Sequence, residues 1–131
     1  MLPYKMNILE YNDANGRSPF KTWFDELNAE AAAKVTVALT RMGLGNLSNA
    51  KSVGGGVLEF RIDFGPGYRV YFGRNGDELI ILLGGGTKRG QQQDIAAAKG
   101  RWANYKTRTA TLRRKDKPER AKSKARKTKK K

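Results

Sequence analysis

Three apolar, β-prone runs follow one another with almost nothing between them: "VLEFRID" at 57–63, "YRVYFGR" at 68–74 and "ELIILLG" at 78–84. The links are "FGPG" and "NGD", too short for a crossover and rich in turn-forming residues, so the three runs are predicted to form an antiparallel meander. Everything else in the chain has to be arranged around that sheet. In the first two runs side chains alternate between faces. Phe60, Ile62, Tyr68, Val70 and Phe72 fall on one side, and Arg61, Arg69 and Tyr71 on the other. "LIILL" does not alternate, which predicts a central strand covered on both faces.

The flanking segments supply the covers. "YKMNILEY" is β-prone and predicts a first strand, after which "NDANGRSP" is rich in turn residues. Ser18 and Pro19 read as the N-cap and first residue of a helix. Its apolar stripe, Phe20, Trp23, Phe24 and Leu27, has the spacing to pack on a sheet, and that reading of Trp23 is preferred over base stacking. Asn28 can cap a second helix, "AEAAAKVTVALTRM", with Val35, Leu39 and Met42 on one side and Gly43 as its stop. "GLGNLSNAKSVGGG" reads as a loop. Within it, Gly45 to Ser52 nearly matches a nucleotide-binding loop, but Ala50 stands where that motif needs glycine, and the segment follows a helix instead of a strand. Lys51 is left as a mobile cation beside a sheet edge. A last helix is expected from about Gln92 to Tyr105, with Ile95, Ala98, Trp102 and Tyr105 on one face and Gly100 in its interior. The expected order is β-α-α-β-β-β-α. That is an α+β fold, a small antiparallel-meander sheet with two N-terminal helices packed on it and a C-terminal helix.

Composition narrows the chemistry. With 131 residues the chain can bury a core unaided by disulfides or metal. It has no cysteine and no histidine, which excludes Ser-His-Asp and Cys-His nucleophile systems and the usual zinc sites. Acid–base work falls to Asp, Glu, Lys, Tyr or Arg. No apolar run approaches the roughly 18 to 20 residues of a membrane span, and "MLPYKMNILEY" lacks a signal peptide's apolar core, so a cytoplasmic protein with no membrane partner is expected. The net charge of +15 is uneven. Residues 1–105 carry 13 Lys or Arg against 10 Asp or Glu, and residues 106–131 carry 14 against 2. The expectation is therefore a folded domain at 1–105 and a Lys/Arg-rich tail at 106–131, disordered in isolation. The tail is either a solvated extension or a source of nucleic-acid affinity without sequence preference.

The polar residues of the sheet and its loops are Lys51, Glu59, Arg61, Arg69, Tyr71, Lys88, Arg89 and Gln91. Two guanidiniums on neighbouring strands repel unless an anion sits between them. That anion can be a bound phosphate or an internal carboxylate, for which Glu59 and Asp63 are the candidates.

The run "KSVGGGVLEFRIDFGPGYRVYF" followed by "ILLGGGTKRGQQQDIAAAKGRW" contains an E-x-R-x-D strand, a G-P-G-Y-R-V-Y-F turn and strand, and an L-L-G-G-x-x-K-x-x-Q run before a D-I-x-x-A-K helix. In these features, over about residues 5–105, the chain resembles the RelE/HigB superfamily of type II toxins, in its phage-derived branch of addiction-module killer proteins. The resemblance implies a RelE-like fold and a small endoribonuclease that cuts messenger RNA, typically on the ribosome. In that family a ribose 2'-hydroxyl attacks its own 3'-phosphate without metal or other cofactor, and a helix-turn-helix antitoxin holds the enzyme inactive. Carried over by position, Arg61, Arg69 and Lys88 are the catalytic candidates, and Lys51, Arg89 and Gln91 the RNA contacts. Where several relatives have tyrosine or histidine near the start of the last helix, this chain reads "QQQDIAAA". Glu59 and Tyr71 are then the candidates for proton transfer, provided they face the site, because an arginine with a pKa above about 12 is a poor base. The alternative is a non-catalytic nucleic-acid-binding protein of phage origin acting through its basic tail.

Overall fold

The computed structural model describes the backbone of residues 6–129 and the side chains of residues 6–114. Tyr4 and Lys5, where the first strand was expected to begin, lie outside the described residues, as do Lys130 and Lys131. The meander forms as its turns dictate, with β3 (Val57–Ile62), β4 (Tyr68–Asn75) and β5 (Leu79–Thr87) pairing antiparallel in sequence. β1 (Asn7–Glu10) lies parallel to β5, and β2 (Ala50–Gly54) lies antiparallel to β3. The five-stranded sheet has the order β1-β5-β4-β3-β2.

β5 therefore runs between β1 and β4, and its non-alternating apolar run is covered on both faces. Ile80 and Leu82 face one core with Phe60, Ile62, Val70 and Phe72, beneath α1 (Pro19–Asp25) and α2 (Ala29–Gly43), which contribute Phe20, Val35, Ala38 and Met42. Ile81 and Leu83 face a second core with Val57, Tyr71, Ala98 and Trp102, beneath α3 (Gln91–Lys129). The caps are those anticipated. The Ser18 hydroxyl accepts from the Lys21 backbone N–H at 3.0 Å, and the Asn28 side-chain oxygen from that of Ala31 at 2.8 Å.

Four expectations are corrected. The expected element order lacked β2, which occupies the second half of the supposed loop. β2 is a polar edge strand held by backbone pairing to β3, with Lys51 opposite Glu59, so no apolar alternation announces it. A 3-10 turn, Lys88–Gly90, also precedes α3. The stop of α2 is not Gly43, which is the last helical residue. It is Gly45 at φ +88°, with Gly45 N–H bonded to Met42 O and Asn46 N–H to Arg41 O, the paired bonds of a Schellman end.

Finally, α3 does not end at Tyr105, and its backbone is helical to Lys129. Few apolar residues follow Leu112, but the segment after Tyr105 is rich in alanine, lysine and arginine, strong helix formers, and no glycine or proline interrupts it before Pro118. Contacts with the sheet domain also pass residue 105. Arg108 lies 5.0 Å from the Tyr11 ring centroid and donates to the Asn12 carbonyl, while Tyr11 Oη donates to Asn104 Oδ1 at 2.8 Å.

Candidate functional site

Arg61 and Arg69 stand directly opposite one another across β3 and β4. The anion between them is Glu59. Its carboxylate is fully buried, with Oε1 3.3 Å from Arg61 Nε and Oε2 3.5 Å from Arg69 Nε. Oε2 also accepts from Tyr71 Oη at 3.2 Å and from Gln91 Nε2, at the start of α3, at 2.7 Å. Two guanidiniums and two neutral donors offset the desolvation of one carboxylate, which is how an ionised group is retained in a core. Asp63 takes no part in this network.

The glycine-proline-glycine turn gives the second half of the arrangement. Gly67, at φ +82°, turns its carbonyl inward, where it accepts from Arg69 Nη1 at 2.9 Å and from the Lys88 backbone N–H at 3.0 Å. One carbonyl thus fixes a strand arginine and the basic turn ahead of α3 to each other, although they are 19 positions apart. Arg69 is 7% exposed and so almost entirely removed from water. Its Nε lies within ion-pair distance of Glu59 but makes no aligned hydrogen bond. It is the buried side-chain nitrogen left without one among the described residues.

These groups border a cavity of about 570 Å³ at the ends of β3 and β4, against the β2 edge. Arg61, Arg69, Lys88 and Lys51 contribute four cations to its wall, and Asp63 the single carboxylate. Ser48, Asn49 and Tyr68 add neutral polar groups. Such a wall, with charge in excess and donors in fixed positions, suits a phosphate diester.

Of the eight residues singled out from sequence, the structure brings four, Lys51, Arg61, Arg69 and Lys88, to the cavity wall. Arg89 is exposed on the 3-10 turn and Gln91 is spent on Glu59, so neither lines the cavity. Glu59 and Tyr71 are sealed beneath it. Burial first, then the charge of Glu59 and the hydrogen bond to it, hold the Tyr71 phenol protonated far above its ordinary value. As proton-transfer groups they do not face the site; they brace it. Sequence reasoning missed Tyr68 and the cavity role of Asp63. Tyr68 was assigned to the apolar face, and at the end of its strand it reaches both the core and the cavity rim.

Residues 22–115 match the family model "Phage derived protein Gp49-like (DUF891)", a span that includes every residue of the cavity wall. The chain belongs to the Gp49-like phage-derived family. It is also similar to an uncharacterized protein of Haemophilus influenzae, 44% identical over 81 residues, which is 61% of this chain and 82% of that protein. Among the described residues of this family member, no helix is long and apolar enough to cross a membrane.

Proposed function

We propose that the protein is the toxin of a type II toxin–antitoxin pair, a metal-independent endoribonuclease of the RelE/HigB kind that cuts messenger RNA and is neutralised by a helix-turn-helix antitoxin. The observation that carries this reading is Arg69, a nearly buried guanidinium pinned by Glu59 and the Gly67 carbonyl and set into a cavity wall beside Lys51, Arg61 and Lys88. Membership of a phage-derived family and the motif resemblance described above support it. In the proposed reaction the ribose 2'-oxygen forms a bond to the adjacent phosphorus while the bond from phosphorus to the 5'-oxygen breaks. The products are a 2',3'-cyclic phosphate and a 5'-hydroxyl. The arginines and Lys51 hold the phosphoryl oxygens as charge develops on them. Asp63 takes the 2'-hydroxyl proton, being the carboxylate that reaches the cavity, and the Lys88 ammonium protonates the leaving oxygen.

Induction in a bacterium followed by mapping of new RNA 5'-ends tests the activity. Growth arrest with new 5'-hydroxyl ends is expected, and arrest without them would contradict it. Co-expression with a neighbouring helix-turn-helix gene is expected to restore growth and give a complex that elutes as one species at micromolar concentration. Separate elution would dismiss the antitoxin assignment. The second reading, a non-catalytic nucleic-acid binder, draws on the sealing of Glu59 and Tyr71 away from the cavity, and the same mapping decides against it or for it.

A further inference from the structure

A second groove, of about 290 Å³, lies at the far end of β4 beneath α3. Its floor is a stacked aromatic pair, Trp102 and Tyr105, with ring centroids 5.2 Å apart and planes 9° from parallel. Trp102 is buried, seated on Gly73 where no side chain would fit, while Tyr105 is half-buried and the more accessible of the two groove-lining rings. The walls carry Arg74, Lys106 and Arg113 and no carboxylate. Arg74 has one acidic neighbour, the exposed Asp77 at 3.4 Å. Lys106 Nζ stands 5.8 Å from the Trp102 ring centroid.

Lys99, Lys106 and Arg113 recur every seven positions, so they share one side of α3 over about 21 Å of helix. The row begins beside the β2–β3 turn, where the Lys99 side chain packs over Gly54 and Gly55. Arg69 in the first cavity and Arg74 in this groove lie on the same strand, about 17 Å apart along it.

Cations alone would fit any polyanion, including an acidic peptide. A rigid aromatic pair rimmed by cations is what distinguishes single-stranded nucleic acid, because every base has a face to stack and every linkage a charge to neutralise. We infer that this groove is a stacking platform for one base of a single-stranded RNA, with Tyr105 against the base and Lys106, Arg113 and Arg74 on the flanking phosphates. The inference rests on the reading of the protein as acting on RNA, and extends it to a site away from the reacting bond.

The test uses the full chain and a 12-nucleotide 2'-O-methyl oligouridylate, which offers no 2'-hydroxyl for cleavage, beside an abasic oligomer of the same length. Tyr105→Leu is expected to weaken binding of the oligouridylate by about 5- to 150-fold, the scale of one lost base stack, and to leave the abasic oligomer unaffected. Tyr105→Phe keeps the wild-type affinity. Lys106→Ala and Arg113→Ala, both at exposed positions on the groove wall, each lower the salt slope by about one for both oligomers. Equal oligouridylate affinity for Tyr105→Leu and wild type overturns the platform. So does equal weakening toward both oligomers, or weakening seen only toward polyglutamate, which would assign the groove to an acidic protein segment. Failure of the first cavity is separable: loss of the base-specific effect concerns the platform, whereas absence of cleavage with that effect intact concerns the proposed activity.

Discussion

At the residue scale the arrangement depends on Glu59. It accepts from Arg61, Tyr71 and Gln91 and pairs with Arg69, and so holds three elements in one geometry: β3, β4 and the start of α3. Replacing it with alanine leaves the guanidinium of Arg69 buried without its counter-charge, and a loss of about 3 to 5 kcal/mol in urea unfolding is expected. Glu59→Gln, which keeps an acceptor, should lose less, and equal losses would mean that charge is not the cause. For the same reason Arg69→Ala is expected to weaken the fold as well as the site, so the exposed Arg61 and Lys88 are the cleaner probes of chemistry. Tyr71 gives a pH signature. Its folded pKa is raised by burial and by Glu59, so its contribution to stability is complete below about 10, the ordinary tyrosine value, and falls as pH rises beyond that. Tyr71→Phe should flatten the alkaline decline of stability relative to wild type, and an unchanged slope would contradict the assignment.

At the element scale, glycines in the strands mark where helices press on the sheet. Trp102 of α3 lies against Gly73, Trp23 of α1 against Gly85, and the Asp94 carboxylate against Gly86. Gly73 has no positive φ, so Gly73→Ala isolates overpacking. A cost of about 1 to 3 kcal/mol is expected in thermal or denaturant melts, and a neutral outcome would mean Trp102 has freedom the packing denies it.

The meander and the two-sided cover of β5 were legible in sequence because apolar runs and short turns report them directly. β2 was not, because backbone pairing to β3 and not side-chain burial holds it in place. The run of α3 past Tyr105 was hidden for a related reason: low apolar content argues against a packed segment but says little about helical backbone. Within the site, alternation put Arg61 and Arg69 on one face correctly. It could not choose between Glu59 and Asp63, both two residues from Arg61 and so equal in parity. The choice is made by Tyr71 across the ladder and by Gln91, 32 positions away.

At the scale of the whole molecule, charge and chemistry are divided. Residues 106–131 hold 14 of the 27 Lys and Arg, whereas the cavity belongs to the sheet. Removing residues 115–131 is expected to weaken RNA or ribosome binding and flatten its salt dependence while leaving cut positions unchanged, since phosphate contacts position a protein without reading bases. Altered cut positions would show that the segment selects the substrate. The central claim is that the cations of the cavity wall stabilise the transferring phosphoryl group. Its most direct measurement is the single-turnover cleavage rate of a defined messenger RNA at saturating protein, comparing wild type with Arg61→Ala and Lys88→Ala. Rates lower by about 10² to 10³ are expected for each variant, with RNA affinity changed far less and the cooperative melt retained. Wild-type rates in both variants at saturation would contradict it.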